Sequence, residues 1–544
     1  MTATPSPATT HPHNQVVDFE GVNAFTGDPI ATSVLGTHAP WAREYAEKLG
    51  ALVWDHDTLI AARDAHRFLP ELRTLNRVGD RIDHVEFHPA YHALMRMAFG
   101  NGVAALSWNA PAPGGHLARA VQSYLWNQVD GATACPTGMT YAAAPLLSEI
   151  PELAPYAERV KVHDYDPSYA PIETKRAATI GYAMTEKQGG SDLRANSTVA
   201  APIGKRGQGE AYLLNGHKWF CSVPMSDGFF TVAQTEAGTS CLFAPRWRPD
   251  GTPNGIAIQR LKDKCGNKAN ASSEIEYHNA YAILLGDEGR GIRTILTSSD
   301  YTRLDFAAGS AGLIRAALSQ AINHADQRMA FGSRLSDIPT MTAVLADLTL
   351  EWAAATHLAF RLANTIDHDD VSEKLLQRLL TPVGKYWNCK RAPVIVAEAM
   401  ECLGGNGYIE EHPMARYYRE APLNGIWEGT SNMMVLDVER VLTREPKALE
   451  PVLDEIRLAE GANSHLDRAT ADLEDRAATP GKDGRRLASQ IALTLQASLL
   501  VRHAPAAVSD AFCASRLGGQ WGPVLGSLSC ELDLAAVVAY GRLG

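Results

Sequence analysis

The chain has 544 residues, a formal net charge of −11 at neutral pH, 45 % apolar residues and 20 % charged residues. This length excludes a single hydrophobic core, and the composition is that of an ordinary globular protein. No apolar run approaches the roughly 18 residues that a membrane span requires, and the acidic balance argues against general affinity for nucleic acid.

The N-terminal part is predicted to be helical after a tail. Residues 1–39 are rich in Thr, Pro and His at their start and are expected to be mostly disordered or extended. Residues 40–178 are predicted to form a helical domain, because Ala- and Leu-rich stretches such as Leu117–Asn127 and Thr140–Leu147 are separated by Pro-Gly punctuation. The eight cysteines include no CxxC pair, which indicates a reducing cytoplasm rather than a disulfide framework.

Three histidines, His84, His88 and His92, recur at a spacing of four residues. On one continuous helix their imidazoles would lie along one face and could bind a metal ion. Pro89 argues against that helix, since proline disfavours helical conformation at the residue before it. We expect a helix that begins at Pro89, and no metal site.

The sequence pattern changes over residues 179–288 and predicts a β domain. Short β-branched and aromatic runs alternate with Gly, Pro, Asn and Asp, a pattern typical of antiparallel sheets. The runs are Tyr212–Leu214, Phe229–Ala233, Ile256–Ile258 and Glu274–Tyr277.

Helical patterns return after the Gly-rich turn at 286–291. Residues 289–444 are predicted to form a helical bundle, with long segments at Met341–Asn364 and Ser372–Leu403. A break near residue 445 precedes a further helical domain at 445–544, with Pro480-Gly481 as a turn between helices. The order helical, β, helical, helical predicts an α+β protein.

The segment Tyr182–Asp192 is the most specific local pattern. It combines two hydroxyls, Thr185 and Ser191, with a Gly-Gly pair that lets the backbone approach a ligand. Hydroxyls and backbone amides are suited to a flat isoalloxazine ring and its pyrophosphate. By itself the segment could equally be a surface loop, because Gly and Ser dominate turns.

Four further segments follow in order, and together the five resemble the acyl-CoA dehydrogenase family. The later segments are Gly216–Ser222, Arg328–Gly332, Glu401–Tyr408 and Ile426–Asn432. The resemblance implies the family fold: an N-terminal helical domain, a central antiparallel β domain and a C-terminal four-helix bundle, followed here by an extra C-terminal helical domain. It also implies bound FAD and a homotetramer.

The resemblance places FAD contacts along all five segments, and Arg328 among them is expected to reach the pyrophosphate of a neighbouring subunit's FAD. The implied cofactor-binding residues are Tyr182, Ala183, Met184, Thr185, Gly190, Ser191, Phe220, Cys221, Ser222, Arg328, Phe331, Glu401, Gly404, Gly405, Ile426, Trp427, Gly429, Thr430 and Asn432.

Glu428 stands at the position of the family's catalytic base. The implied reaction removes the α-proton of an acyl-CoA thioester while the β-hydride passes to the flavin. A carboxylate can act as this base once burial raises its pKa towards the working range. The alternative is a glutamate that only shapes the flavin loop.

Departures from the family pattern narrow the resemblance to one branch. Phe220 replaces the usual Trp, Trp427 the usual Tyr, Glu401 a common Gln, and Pro339 lies near another position that is commonly Gln. Together with the extra 100 residues and the segments Met184–Asp192, Gly216–Phe220, Ser222–Pro224, Glu398–Gly405 and Phe87–His92, these features resemble the AidB-like, alkylation-response branch. That branch implies weak dehydrogenase activity and binding of double-stranded DNA through the C-terminal domain; the alternative is a fully active metabolic acyl-CoA dehydrogenase without a DNA role.

The residues themselves leave DNA binding open. From residue 441 to residue 544 there are 11 Lys and Arg against 13 Asp and Glu, whereas duplex binding needs several cations facing phosphates. Candidate cations are Arg440, Arg444, Lys482, Arg485, Arg486, Arg502 and Arg516.

Overall fold

The N-terminal part is helical, with one β-hairpin inserted. The computed structural model describes residues 13–19, 21–109, 112–478 and 483–544. The elements of this part are α1 (Pro29–His38), α2 (Arg43–Val53), α3 (His56–Arg67), β1 (Glu71–Leu75), β2 (Arg81–Glu86), α4 (Pro89–Gly100), α5 (Leu106–Asn109), α6 (Gly115–Val129), α7 (Gly131–Ser148) and α8 (Ala154–Arg159).

Helix α1 corrects the expectation for residues 1–39. Pro29 occupies its first turn, and the Asp28 carboxylate accepts hydrogen bonds from the backbone N–H groups of Ile30 and Ala31 at 3.0 and 2.9 Å. This N-cap satisfies donors that a helix start leaves free. Residues 13–19 contain no helix or strand, and the expected tail at residues 1–12 lies outside the described residues.

The predicted helix start at Pro89 is confirmed. His88 is the N-cap of α4, and its Nδ1 accepts a hydrogen bond from the backbone N–H of Ala90 at 3.3 Å. His84 lies instead in strand β2. The three histidines are therefore not on one helix face.

The β domain is one seven-stranded sheet, of which five strands close into a ring. Its strands are β3 (Ile180–Ala183), β4 (Val199–Pro202), β5 (Ala211–Ser222), β6 (Gly228–Thr235), β7 (Gly238–Pro245), β8 (Ile256–Leu261) and β9 (Ser272–Leu285). They run in the order β3-β6-β4-β5-β9-β7 with β8 added on β9, and β6 also pairs with β7, which closes a ring. All four predicted strand runs are confirmed, but β6 pairs in parallel with β3 and β4, so the sheet is not purely antiparallel.

Long helices then form the bundle. The elements are α9 (Gly291–Gln327), the two-residue strands β10 (Met329–Ala330) and β11 (Ser333–Arg334), α10 (Pro339–Ile366), α11 (Val371–Glu401), α12 (Gly405–Tyr408), α13 (Pro413–Glu420) and α14 (Ser431–Arg444). Helices α9, α10 and α11 pack against one another, α6 packs on α9, and α14 packs on α11. None of the helices in the described ranges is long and apolar enough to cross a membrane.

The C-terminal helices share the core of the bundle. They are α15 (Glu450–Arg457), α16 (Ser464–Ala478), α17 (Gly484–His503), α18 (Ala506–Phe512) and α19 (Leu534–Gly541). Helix α17 packs on α10, α11 and α14, α19 packs on α10, and one continuous apolar cluster spans both parts. The predicted turn at Pro480-Gly481 lies outside the described residues.

Candidate functional site

A large cavity lies where the β domain meets helices α7, α9 and α14. Its volume is about 2150 Å³, well above the roughly 300–1,000 Å³ of an ordinary ligand pocket. Most of the residues predicted from the sequence line it. These are Tyr182, Met184, Thr185, Gly190, Ser191, Phe220, Ser222, Ile426, Trp427, Glu428, Gly429 and Thr430.

A buried ion pair holds the first segment in place. Glu186 and Lys218 are both inaccessible to solvent, and their side chains meet at 2.8 Å. The other carboxylate oxygen of Glu186 accepts from the backbone N–H of Ser197 at 2.6 Å, and Lys218 also donates to the carbonyl of Val232 at 2.7 Å. Because both charges are satisfied, this network fixes the loop that carries Thr185 and Ser191.

The cavity wall fits a flavin dinucleotide. The hydroxyls of Thr185, Ser191 and Ser222 face it, and the described residues offer these hydroxyls no hydrogen-bond partner. A Cβ at Gly190 would collide with the Thr185 side chain, so only glycine allows this close approach. Free hydroxyls beside an aromatic ring, here Phe220, match the polar edge and flat face of an isoalloxazine.

For three predicted cofactor-binding residues, the side chain lies away from the cavity. Ala183 and Cys221 are fully buried in the core of the β domain, because alternate residues of a strand point to opposite faces. The Asn432 side chain lies away from the cavity, where its Oδ1 accepts hydrogen bonds from Arg485 at 2.7 and 2.9 Å. These three side chains do not face the cavity.

A second predicted group lies outside the cavity altogether: Arg328, Phe331, Glu401, Gly404 and Gly405. Phe331 is fully exposed at the tip of the β10–β11 hairpin. The guanidinium of Arg328 donates to the backbone carbonyl of Asn14. The resemblance places Arg328 at the FAD of a neighbouring subunit. The roles of these five residues in binding FAD therefore stay predictions.

Glu428 projects into the cavity from a strained loop. Its backbone has φ of 54°, in the left-handed region that costs an ordinary residue about 1–3 kcal/mol. Lys385 of α11 holds this conformation, because its ammonium donates to the carbonyls of both flanking residues, to Trp427 at 2.9 Å and to Gly429. The loop is thus preorganised around the carboxylate.

Burial raises the pKa of the Glu428 carboxyl above its usual range, which suits a general base. Arg303 and Lys385 counteract that rise by their positive charge, and Ser299 of α9 does so by donating to the carboxylate at 3.3 Å. The sequence interpretation missed Ser299, Arg303 and Lys385. Lys385 carried a signal, since it is a lone lysine in a largely apolar helical stretch.

Removing the Ser299 hydroxyl should shift the pH profile of the base. Ser299→Ala deletes a hydrogen bond to the ionised form, so the pKa of Glu428 should rise and the acid limb of the activity profile should move to higher pH. A bond of about 0.5–1.5 kcal/mol corresponds to a roughly two- to tenfold lower rate on that limb. The measurement is the pH dependence of flavin reduction, with Ser333→Ala on the exposed hairpin as control. An unmoved limb would contradict the contact.

Trp427 narrows the cavity beside the base. Its ring stacks on Phe306 with centroids 4.9 Å apart and an interplanar angle of 20°, and its indole N–H donates to Asn424 at 3.1 Å. Both contacts fix the ring orientation. The indole that stands in place of the usual Tyr therefore lines the cavity next to Glu428 in a fixed orientation.

The candidate DNA-binding cations divide into two groups. Arg516 is 2 % exposed and pairs with Asp347 and Glu351, and Arg502 pairs with Glu455 at 2.6 Å. Neither is available to a phosphate. Arg440, Arg444, Arg485 and Arg486 are exposed, although Arg440 also pairs with Asp437 at 3.0 Å. Lys482 lies outside the described residues.

Comparisons with known proteins agree with this architecture. The family description "Adaptive response protein AidB N-terminal domain" matches residues 14–167, "Acyl-CoA dehydrogenase, middle domain" matches 181–280, and "Acyl-CoA dehydrogenase, C-terminal domain" matches 289–443. The chain belongs to the acyl-CoA dehydrogenase family, as an FAD-dependent oxidoreductase of its AidB branch.

Two relatives extend the match over most of the chain. AidB of Escherichia coli is 40 % identical over 516 residues, which are 94 % of each chain. Acyl-CoA dehydrogenase family member 11 of Caenorhabditis elegans is 29 % identical over 78 % of this chain and 72 % of its own. The crystal structure of that animal's ACDH-11 in complex with C11-CoA has a TM-score of 0.82 at 24 % identity, covering 99 % of this chain and 94 % of that one.

Proposed function

We propose that this protein oxidises an acyl-CoA thioester to the α,β-enoyl form, with Glu428 as the base. The observation that carries the proposal is the half-buried Glu428 carboxylate, whose pKa burial raises; it is held on a preorganised loop and faces the same cavity as the predicted flavin segments. FAD, when bound, supplies the hydride acceptor. Glu428 takes the α-proton, and its backbone N–H polarises the thioester carbonyl.

We further propose that turnover is weak, as the AidB branch implies. Trp427 is fixed by Phe306 and Asn424 and occupies space next to Glu428. A thioester held about 1 Å from its productive position can lose on the order of 10²-fold in rate. The Trp427 ring thus limits how closely the α-carbon approaches the base.

The test is anaerobic reduction of the bound flavin by a panel of acyl-CoAs. Bleaching of the flavin absorbance by at least one of them is the expected result, with a rate that depends on Glu428. Absence of bleaching across the panel would overturn the dehydrogenase function. A purified protein that could not be loaded with FAD would overturn the cofactor assignment as well.

We propose that the chain assembles into a homotetramer in which Arg328 contacts a neighbouring subunit's FAD. Its support is that Arg328, at the end of α9, and Phe331, at the tip of the adjoining exposed hairpin, both lie outside their own subunit's cavity. Glu401, Gly404 and Gly405 are also exposed. A cytoplasmic setting is proposed from the eight cysteines, all of which are free thiols.

Arg328→Ala tests this assembly. Loss of one charge-assisted contact, worth about 1.5–3 kcal/mol, should weaken FAD binding roughly 10- to 150-fold. The measurement is FAD retention by equilibrium dialysis, combined with the mass of the assembly by light scattering. Arg334→Ala in the same exposed hairpin is the matched control. FAD affinity that is unchanged in an intact tetramer would contradict the contact.

A second candidate function is association with double-stranded DNA in the alkylation response. It is supported by membership of the branch described as an adaptive response protein and by the exposed Arg444, Arg485 and Arg486. If these cations bind phosphates, duplex affinity should fall with added salt, and Arg485→Gln with Arg486→Gln should reduce the salt slope by about two. An unchanged slope would rule out this face, and no duplex binding at low salt would rule out the function.

A further inference from the structure

Helix α9 lines the cavity over several turns. Arg293 is exposed at one end of this lining, which we take as the mouth; Ser299 contacts Glu428 midway, and Asp305, only 5 % exposed, marks the inner end. With a rise of 1.5 Å per residue, Asp305 lies about 9 Å beyond Ser299 along the helix. A thioester that enters from the mouth and reaches Glu428 therefore points its acyl chain towards Asp305.

The inner end of the cavity, around Asp305, is polar rather than apolar. One oxygen of Asp305, Oδ1, accepts hydrogen bonds from the guanidinium of Arg119 and from the hydroxyl of Ser123. Arg119 is fully buried, and its guanidinium lies 4.0 Å from the centre of the Tyr141 ring. The acid is thus fixed in position by two donors on helix α6, one of which, Arg119, packs on Tyr141 of α7.

The second oxygen of Asp305 is free. Oδ2 has no hydrogen-bond donor among the described residues, and Asp305 lines the cavity. Oδ2 packs so closely over Gly138 that a Cβ at that position would collide with it. An alkyl chain packed against Oδ2 would displace water from this oxygen without forming a hydrogen bond to it, whereas a hydroxyl would donate a hydrogen bond to it.

We propose that Asp305, positioned by Arg119, is a specificity-determining residue that selects acyl groups with a hydroxyl far from the thioester. The inference rests on the proposed acyl-CoA function and deepens it by naming the substrate class. A site built to bind a substrate hydroxyl discriminates strongly against the analogue that lacks it, because the buried acceptor is then left unpaired.

The test is binding to the FAD-loaded wild-type protein, followed by the change in the flavin absorbance spectrum, which does not require turnover. Each probe pair consists of an ω-hydroxyacyl-CoA and the acyl-CoA with a methyl group in place of the hydroxyl. Because the helix rise places Asp305 about 9 Å beyond the base region, the chains range from about four to about ten carbons. At the best chain length, the hydroxyl ligand should bind at least roughly tenfold more tightly. Equal affinity at every length would overturn the inference.

A paired substitution separates recognition from packing. Replacing both charges, Arg119→Leu with Asp305→Leu, avoids leaving one charge buried alone, and such replacements are often tolerated. The hydroxyl preference should disappear and the alkyl ligand should gain affinity. The matched control is Lys175→Met with Asp227→Leu, another buried ion pair, which lies outside the cavity; it should keep the wild-type preference.

The outcomes distinguish this inference from the proposed function. A double variant that folds and keeps the hydroxyl preference would overturn the role of Asp305. If the double variant does not fold, the affinities of the hydroxyl and methyl ligands for the wild-type protein decide whether the inference holds. If no acyl-CoA changes the flavin spectrum, the proposed function fails and this inference fails with it; if both members of each pair bind equally, only this inference fails.

Discussion

Glu428→Gln should reduce the rate of flavin bleaching by acyl-CoA by roughly 10²–10⁴-fold, the usual contribution of a positioned general base. The amide has nearly the shape of the carboxyl but cannot accept the α-proton at neutral pH. Ligand binding should persist, because the cavity wall around residue 428 is unchanged. The measurement is stopped-flow absorbance under anaerobic conditions, with the dissociation constant taken from the dependence on ligand concentration.

The matched control for this substitution is Glu158→Gln. Glu158 lies in α8, is exposed and is outside the cavity, so its amide variant should bleach at the wild-type rate. Glu428→Gln that bleaches as fast as this control would show that another group removes the proton. Loss of ligand binding in Glu428→Gln would show that the residue shapes the pocket instead.

The sequence predicted those parts of the site that are contiguous in the chain. Two short segments whose residue types match a ligand contribute most of the predicted lining: Tyr182, Met184, Thr185, Gly190 and Ser191 from the first, and Ile426–Thr430 from the second. The strand runs were predictable for the same reason, since their pattern is local. The directions in which the Ala183 and Cys221 side chains point could not be predicted. The resemblance assigned whole segments to the cofactor, whereas successive side chains of a strand point to opposite faces of the sheet.

The environment of the base could not be predicted from the sequence. Ser299 and Lys385 reach Glu428 from two different long helices, and contacts of that kind depend on how the helices pack. The pair Arg119–Asp305 joins residues 186 positions apart. Neither residue stands in a recognisable motif, so only the fold shows that they meet at the end of a cavity.

The C-terminal helices illustrate the same limit on a larger scale. Residues 445–544 were predicted to be helical, and helix α17 in this part contains the apolar run Ile491–Val501. An apolar helix face does not show which element it packs against. In the structure the partner is the bundle, and Arg516, considered as a DNA contact, is instead buried against Asp347 and Glu351 of α10.

Arg516→Met should therefore destabilise the protein by about 3–5 kcal/mol, the cost of breaking a buried ion pair by removing one partner. Arg391 still pairs with Glu351 at 2.8 Å, but Asp347 would keep only neutral donors, the Trp521 indole at 3.1 Å and the Gly526 N–H at 2.8 Å. The measurement is the free energy of unfolding from urea titration. Arg468→Met is the control, because Arg468 is exposed and bonds its neighbour His465.

The destabilisation should also depend on pH in a defined direction. Burial raises the pKa of Glu351, but Arg391 and Arg516 outweigh it and lower that pKa to about 2, against an ordinary value of 4.5. Stability from a depressed carboxyl pKa is fully present above the unfolded value and is lost as pH falls through the folded value. The difference between wild type and Arg516→Met should therefore be constant near neutral pH and shrink as pH falls from about 4.5 towards 2. A difference that grew on acidification would mean that Arg516 does not stabilise the ionised carboxyls of α10.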